Sequence, residues 1–211
     1  LAFGAIRGVL SDPVVRRIFL VYGTAFLANQ ITRPYVPVLV ERIVGLGPGL
    51  ASGIALVAGT AALAGAVISP VGGAIGDRVG FRPVLIAALL AGAGAAFAMP
   101  AAPGLVPLAA GALFFSACTA ITGAMVFGLL ATEVPPERRS ATLNLIYLPL
   151  YATGIVGPAL GSVVVRVGDV AAPFWVATVV FVAGAILVTR VLHGHRGHEP
   201  AHEPATATSE L

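Results

Sequence analysis

Charged residues divide this chain into long apolar segments. The uncharged runs cover residues 18–32, 43–76, 83–132, 140–165 and 170–189. A bilayer core of roughly 30 Å is crossed by about 20 helical residues, so most of these runs can span it. The third run is long enough for two crossings joined by "AMPAAPG", and the first becomes a full span if it continues to Glu41. The pattern predicts an all-α membrane protein with six transmembrane helices, at about 17–41, 49–75, 84–100, 105–131, 141–165 and 170–189.

Composition and charge agree with a membrane protein. Hydrophobic residues make up 58 % of the 211 positions, charged residues 10 %, and every basic residue is an arginine. Cytoplasmic loops retain positive charge. With six crossings and both ends inside, the predicted cytoplasmic arginines are Arg7, Arg16, Arg17, Arg78, Arg82, Arg138, Arg139, Arg190 and Arg196, against Arg42 and Arg166 outside. The sequence therefore predicts an inner-membrane protein with cytoplasmic ends, and its basic charge requires no nucleic acid partner.

The two ends of the chain differ from the apolar middle. Residues 1–13 are expected to be a linker or the end of an upstream segment, followed by the membrane unit at 14–190 and a disordered cytoplasmic tail at 191–211. The tail contains "HEPAH", which matches the pattern of zinc proteases. That chemistry needs both histidines on one helical turn, and Pro200 opposes a helix. We therefore expect no metal site, no cofactor and no enzymatic activity.

An internal repeat relates the two halves of the membrane unit. A shift of 88 residues aligns "SPVGGAIGDRVG" at 69–80 with "GPALGSVVVRVG" at 157–168. Three predicted helices separate the copies, so they fall on opposite faces of the membrane, as in the inverted 3+3 repeats of many transporters. A chance alignment of apolar, glycine-rich segments is the alternative. The first copy carries Asp77 where the second has Val165.

The loop between the second and third predicted helices has the spacing G-x-x-x-D-R-x-G-x-R. It contains Gly73, Gly76, Asp77, Arg78, Gly80 and Arg82. This loop resembles the signature of the Major Facilitator Superfamily, with Phe81 in place of the usual basic residue. The resemblance covers roughly residues 14–190, and it implies one six-helix half of a transporter that pairs with a second half in a lipid bilayer. It also implies that Asp77 forms a contact between the halves in one conformation, with Arg78 and Arg82 as local partners or membrane-surface anchors. Solvated loop charges that only set topology are the alternative.

The fifth predicted helix contains "GIVGPALGS", whose Gly157, Pro158 and Gly161 resemble the Gly-Pro motif of proton-coupled drug antiporters in this superfamily. The final position of that motif is Ser162 here instead of glycine. Gly157 and Gly161 lie one turn apart and form a small-residue groove for a neighbouring helix. Efflux and simple helix packing both remain open at this point.

Polar residues within the spans are candidates for a substrate cavity, because polar side chains in lipid are costly. The candidates are Asn29, Gln30, Arg33, Ser116, Thr119, Asn144 and Tyr147. The resemblance places the first and fourth helices around the cavity, which favours Asn29, Arg33, Ser116 and Thr119. For Arg33, binding of a ligand and extension of the side chain to the outer boundary are equally compatible with the sequence. Pro34 and Pro37 predict a kink beside it.

Taken with the resemblance, these patterns predict the C-terminal half of a secondary transporter of small organic molecules. Proton-coupled efflux of drug-like compounds is favoured, and uptake of a sugar or another metabolite is the main alternative. A membrane scaffold that transports nothing is a more distant one. No carboxylate lies deep within the six predicted helices, so a titrating acid must come from the second half or be Glu41. The sequence also leaves the N-terminal half as a possible assignment.

Overall fold

The computed structural model describes residues 13–134, 142 and 144–191 of this chain. The helices are α1 (Pro13–Thr32), α2 (Val36–Val44), α3 (Gly49–Val79), α4 (Phe81–Ala98), α5 (Leu105–Glu133), α6 (Tyr147–Val167) and α7 (Ala172–Val191). By length and composition, α3 to α7 are each able to cross a membrane. Among the described residues, these five long apolar helices agree with the predicted all-α membrane fold and correspond to the last five of its six predicted spans.

The first predicted span is divided into two helices. The α-helix α1 ends at Thr32, a 3₁₀ turn follows at Arg33–Tyr35, and α2 begins at Val36. Pro34 and Pro37 have no N–H to donate to the preceding turn, which is why the regular helix stops here. The predicted kink is confirmed, and the first segment is not one uninterrupted helix.

The helix boundaries around Gly80 differ from those predicted. The second predicted span stops at 75, whereas α3 continues to Val79, so Asp77 and Arg78 lie in its last turn. The helix ends at Gly80, whose φ of 97° is rarely adopted by residues with a Cβ and whose N–H donates to the Gly76 carbonyl at 2.8 Å. The next helix begins at Phe81 instead of 84, because Pro83 is compatible with a first helical turn.

Other predicted boundaries lie partly outside the described residues. The fifth span was expected from 141, and α6 begins at Tyr147, with helical backbone also at Thr142, Asn144 and Leu145. The predicted linker at 1–13 and tail at 191–211, which contains "HEPAH", lie outside the described residues except for Pro13 and Val191. Within the described ranges no group of three or more His, Cys, Asp or Glu side chains could hold a metal ion.

The helices alternate in direction. Gly53 faces Leu105 and Gly76 faces Met125, so α3 and α5 run parallel to each other. The same holds for α1 and α6, where Gly23 faces Pro149 and Gly161 faces Tyr35. In contrast, α4 is antiparallel to α7, since Thr178 bonds to the Ala93 carbonyl near their middle and Arg82 to that of Thr189 at one end. Successive long segments therefore run up and down across the bundle.

Packing is centred on α1, α4, α5 and α7. The α5 helix packs against α3, α4 and α1, while α1 packs against α6 and α7, and α4 packs against α7. Phe115 and Phe181 meet edge-on at the centre, with ring centroids 5.5 Å apart, and Phe174 is fully buried. Few residues of α3 and α6 are buried: 11 % and 17 % of their most apolar stretches, against 39–44 % in α4, α5 and α7. Each of these two helices therefore presents a long uncovered apolar face.

The arginines are divided unequally between the two ends of the bundle. We call the end where α3 meets α4 the Arg-rich end; among the described residues it carries Arg16, Arg17, Arg78, Arg82 and Arg190. The opposite end carries Arg42 and Arg166. Arg33 lies between the two ends, at the break between α1 and α2.

Candidate functional site

Two adjoining cavities follow the surface where α1, α2, α3 and α5 meet. The kink cavity, of about 420 Å³, lies beside the 3₁₀ turn and is lined by Arg33, Asn29 and Ser116 together with apolar residues such as Val57 and Phe115. The aromatic cavity, of about 350 Å³, lies nearer the Arg-rich end. Both are lined by Asn29 and Ser116, so they form one groove. Their volumes are those of small-molecule sites.

Four of the seven cavity candidates from the sequence line this groove. Asn29 and Ser116 line both cavities, Arg33 lines the kink cavity and Thr119 lines the aromatic cavity. Helical spacing aligns Asn29 and Arg33 on one side of the first segment, and α5 presents Ser116 and Thr119 from across the groove. Arg33 is the charged residue of the lining, and no described carboxylate lines either cavity.

The other three candidates lie elsewhere. Gln30 faces α6, where Gly154 and Gly157 lie against it. Asn144 and Tyr147 are exposed, and the Tyr147 ring lies beside Tyr151 with centroids 6.3 Å apart. The structure therefore brings together the residues of α1 and α5 and leaves those of α6 outside the two cavities.

The polar groups of the groove differ in what they bind within the protein. The Thr119 hydroxyl donates to the Phe115 carbonyl at 3.0 Å, and the Thr32 hydroxyl lies 3.1 Å from the carbonyls of Ala28 and Asn29. Within residues 13–134, 142 and 144–191, the side chains of Asn29, Arg33 and Ser116 have no hydrogen-bond or ion-pair partner. These three side chains are therefore available to a ligand.

The depth of the groove follows from helix geometry. Ser116 lies about 16 Å along the axis from Leu105, and Ala61 about 18 Å from Gly49, at a rise of 1.5 Å per residue. The α3 helix is about 46 Å long, so a hydrocarbon layer of roughly 30 Å centred on this helix leaves about 8 Å beyond the layer at each end. The kink cavity thus lies inside the apolar layer, in the half remote from the Arg-rich end.

The apolar lining was not singled out from the sequence. Met99, Val57 and Ala61 line the kink cavity, and Phe127 lines the aromatic cavity beside Tyr22, at 6.3 Å between ring centroids. Apolar residues of this kind cover every span of the chain, so their sequence carries no signal that separates a cavity wall from a lipid-facing surface. Tyr22 and Phe26 also line the aromatic cavity, because their helical spacing places them on the face of Asn29.

At the Arg-rich end, the signature residues fall into two groups. Gly76 and Gly80 are structural: a Cβ on Gly76 would lie 2.7 Å from the Met125 methyl carbon, and Gly80 ends the helix. Gly73, Asp77 and Arg78 lie on the outer surface of the bundle, and a Cβ on Gly73 would meet no described atom within 4 Å. In the part of the chain that the structure describes, the Asp77 carboxylate has no hydrogen-bond or ion-pair partner.

Arg82 connects two helices at the same end. Its guanidinium donates to the Thr189 carbonyl near the end of α7 at 2.9 Å. Carbonyls in the last turn of a helix lack a partner in the helix itself, and a cation near that end also interacts favourably with the dipole. Arg82 therefore holds the start of α4 against the end of α7.

Phe81, which replaces the usual basic residue of the loop signature, is packed between two glycines. Its ring lies in a notch formed by Gly76 on α3 and Gly128 on α5, where a Cβ at either position would overlap it. In the sequence, Phe81 stood out only because it departs from the family pattern. The structure shows that its ring packs against apolar neighbours at the Arg-rich end.

The Gly-Pro segment of α6 packs against the first helix. A Cβ on Gly157 would lie 2.5 Å from the Gln30 Cβ, and one on Gly161 would lie 3.0 Å from the Ile31 carbonyl oxygen. Pro158, between them, is exposed. The two glycines thus allow α6 to approach α1 just before its break.

Comparison with known protein families matches residues 18–210 to the Major Facilitator Superfamily. A search among curated proteins returned no match. The family match covers most of the chain, including every described helix in whole or part, and agrees with the apolar helices and the intramembrane groove. Members of this family act on small molecules within a lipid bilayer and are generally not enzymes. The chain therefore belongs to the Major Facilitator Superfamily and is an integral membrane protein of the secondary transporter class.

Proposed function

We propose that this chain is the C-terminal six-helix half of an exporter that moves drug-like organic molecules by alternating access. The observation that carries this proposal is the groove. Three polar side chains that have no partner within the described residues, Asn29, Arg33 and Ser116, line a cavity at a broken helix inside the apolar layer. Polar groups and irregular backbone are tolerated at this depth mainly where they line a cavity, and transporters place substrates at such breaks. In this proposal α1 and α2 together form the first span, which brings the number of spans to six.

The packing of the helices supports an inverted 3+3 repeat. The proposed repeat relates α1 to α5, α3 to α6 and α4 to α7. When each helix is replaced by its counterpart, the α5–α3 contact becomes α1–α6 and the α5–α4 contact becomes α1–α7. Both exchanged pairs occur, and α1–α5 and α4–α7 map onto themselves. Pro70 and Pro158 lie inside the corresponding helices α3 and α6, and Gly80 and Gly168 follow their ends. These correspondences favour a true repeat over a chance alignment.

The uncovered faces of α3 and α6 support a partner of the same kind. Both helices are related by the proposed repeat, and both bury few residues within the described chain. We propose that the second six-helix half of the transporter packs against these faces. The Arg-rich end would then be cytoplasmic, as expected from the retention of positive charge, with both chain ends on that side of the inner membrane.

In this arrangement Asp77 belongs to the interface between the halves. It is exposed in the last turn of α3, next to the open surface at Gly73. A carboxylate at the C-terminal end of a helix faces an unfavourable dipole and is stabilised by an external cation or by the N-terminus of another helix. We propose that the second half supplies that partner in one conformation and withdraws it in the other.

Two observations bear on export and proton coupling: the Gly-Pro segment packs against α1, and no described carboxylate lines the groove. Gly157 and Gly161 bring α6 against the face of α1 that carries Gln30 and Ile31, so a movement of α6 would be passed to the groove through α1. The described acids Glu41, Asp77 and Asp169 line neither cavity. Coupling to protons would therefore use a carboxylate of the second half, or Glu41 on α2.

The test uses the full-length gene in a host that lacks its own exporters, with a panel of cationic, neutral and anionic fluorescent dyes. We expect the wild type to lower accumulation of at least one dye, and Asp77→Asn or a protonophore to abolish that effect. Asp169→Asn is the matched control: it removes a loop acid at the opposite end but keeps the oxygen that accepts from the Ala171 N–H at 2.8 Å. Accumulation equal to the empty host for every dye would reject export, and increased accumulation of a metabolite would indicate uptake.

A further inference from the structure

The kink cavity has a positive charge that nothing in the described chain balances. Arg33 lines the cavity and is exposed within the described chain, with no ion-pair or hydrogen-bond partner among the described residues. Glu41 lies about 12 Å further along the segment, towards the opposite end, and Asp77 is at the Arg-rich end of α3. An arginine within the apolar layer is costly unless a partner or a ligand balances its charge, so an anion at this position is favoured.

The direction of the cavity argues against simple extension of Arg33 to the membrane surface. The lining of the kink cavity also includes Ala61 and Ser116. These residues lie roughly 16–18 Å from the first residues of α3 and α5, which are at the end opposite the Arg-rich end. The residues that border Arg33 thus extend inward from the break. A side chain that served only to reach lipid headgroups would not require two further unpartnered polar groups beside it.

The side chains of Asn29 and Ser116 add hydrogen-bond donors beside Arg33, as the binding of an oxyanion requires. Asn29 can donate from its amide and Ser116 from its hydroxyl, while a guanidinium donates in a fork that matches carboxylate, sulfonate or phosphate oxygens. The rest of the wall is apolar, with Val57, Met99 and Phe115 as large contributors. The site therefore pairs one anion-binding cluster with a surface for an apolar body.

We propose that the kink cavity binds amphiphilic organic anions, with Arg33 pairing the anionic group and Asn29 and Ser116 donating hydrogen bonds to it. This inference rests on the proposed transport function and specifies its substrate class. The apolar body of the substrate lies against Val57, Met99 and Phe115. Cationic compounds find no carboxylate among the described residues of the lining and are excluded from this site by repulsion from Arg33.

The test compares three ligands with one ring system and different charge: 1-naphthalenesulfonate, neutral 1-naphthalenesulfonamide and cationic trimethyl(1-naphthylmethyl)ammonium. Binding to the purified full-length transporter is measured by calorimetry. We expect the sulfonate to bind about tenfold or more tightly than the sulfonamide, because hydrogen bonds to charged groups are the stronger class. Equal affinities for the three ligands, or preference for the cation, would overturn the proposal without any variant being needed.

Variants then assign the preference to Arg33. Arg33→Gln is expected to remove the preference for the sulfonate, Arg33→Lys to keep part of it, and Ser116→Ala to weaken sulfonate binding alone. Arg42→Gln is the matched control, an exposed arginine of the same segment that lines neither cavity. If a carboxylate from the second half neutralises Arg33, Arg33→Gln will change the binding of all three ligands alike, and the proposal is wrong.

A transport measurement separates this inference from the proposed function. The full-length transporter is reconstituted in liposomes, and movement of each ligand is compared with protein-free liposomes. Transport of the neutral or cationic ligand with no binding of the sulfonate would overturn the anion site and leave the transporter proposal intact. Arg33-dependent sulfonate binding with no movement of any ligand would support the site and count against transport.

Discussion

Substitution of Gly157 by alanine tests the close approach of α6 to α1. A Cβ at this position would lie 2.5 Å from the Gln30 Cβ and 3.0 Å from the Gln30 carbonyl carbon. The obstacle includes backbone, so no side-chain rotation relieves it, and α6 would have to move outward by about 1 Å to reach ordinary contact. Overpacking of this kind costs about 1–3 kcal/mol. Alanine recovers about 0.5–1 kcal/mol of helix propensity, which leaves a net destabilisation of about 1 kcal/mol at the middle of these two ranges.

The measurement is the melting temperature of the purified full-length transporter in detergent, followed by size-exclusion chromatography of the heated samples. A destabilisation of 1 kcal/mol lowers the melting temperature of a domain of 150–250 residues by about 2–4 °C. We therefore expect Gly157→Ala to melt several degrees below the wild type. The change should also reduce transport, because α6 borders the helix that carries the substrate groove.

Two glycines on the same chain provide matched controls. A Cβ on Gly94 would meet no described atom within 4 Å, and one on Gly154 would meet only the flexible end of Gln30, the Nε2 atom, at 3.3 Å. We expect Gly94→Ala and Gly154→Ala to melt at or slightly above the wild-type temperature. If Gly157→Ala has the same melting temperature as these controls but loses transport, the packing explanation of the Gly-Pro segment is wrong and the glycine acts only in the conformational cycle.

The remaining predictions concern the Arg-rich end. Arg82→Gln removes the charged donor to the Thr189 carbonyl and should lower the free energy of unfolding by about 1–2 kcal/mol, seen as a lower melting temperature. The exposed control Arg78→Gln should melt at the wild-type temperature. Equal melting temperatures of the two variants would contradict the anchoring role of Arg82. Phe81→Ala empties the notch at Gly128 and should cost about 3 kcal/mol. Adding Gly128→Ala should partly restore stability by filling that space, and additive losses in the double variant would refute the notch.

The sequence predicted the described elements well because the membrane imposes a simple requirement on it. Runs of uncharged residues must be helical to satisfy their backbone in lipid, so composition and length are enough to locate α3 to α7. The break near Arg33 was also predicted, since proline removes a donor regardless of its surroundings. The errors were local: α3 continues past 75 to Val79 and α4 starts at Phe81, because Gly80 provides the actual turn.

The residues of the candidate groove could be chosen from the sequence only in part. Asn29, Arg33, Ser116 and Thr119 stood out because polar side chains are rare in these spans, and they line the two cavities. Gln30 is just as polar and one position away, yet it faces Gly154 and Gly157. Helical periodicity gives the relative directions of side chains on one helix, but it does not say which neighbour each direction meets.

What the sequence determined by itself is the class of the molecule: an all-helical membrane protein with a glycine-rich, arginine-flanked turn after α3. These features depend on single residues and on short-range spacing. Only the tertiary structure decided that Phe81 fills the notch between Gly76 and Gly128 and that Arg82 bonds to the end of α7. It also decided that Arg33 lines an inward-reaching cavity with no described carboxylate beside it. Such contacts join residues far apart in the chain, and their partners are set by how whole helices pack.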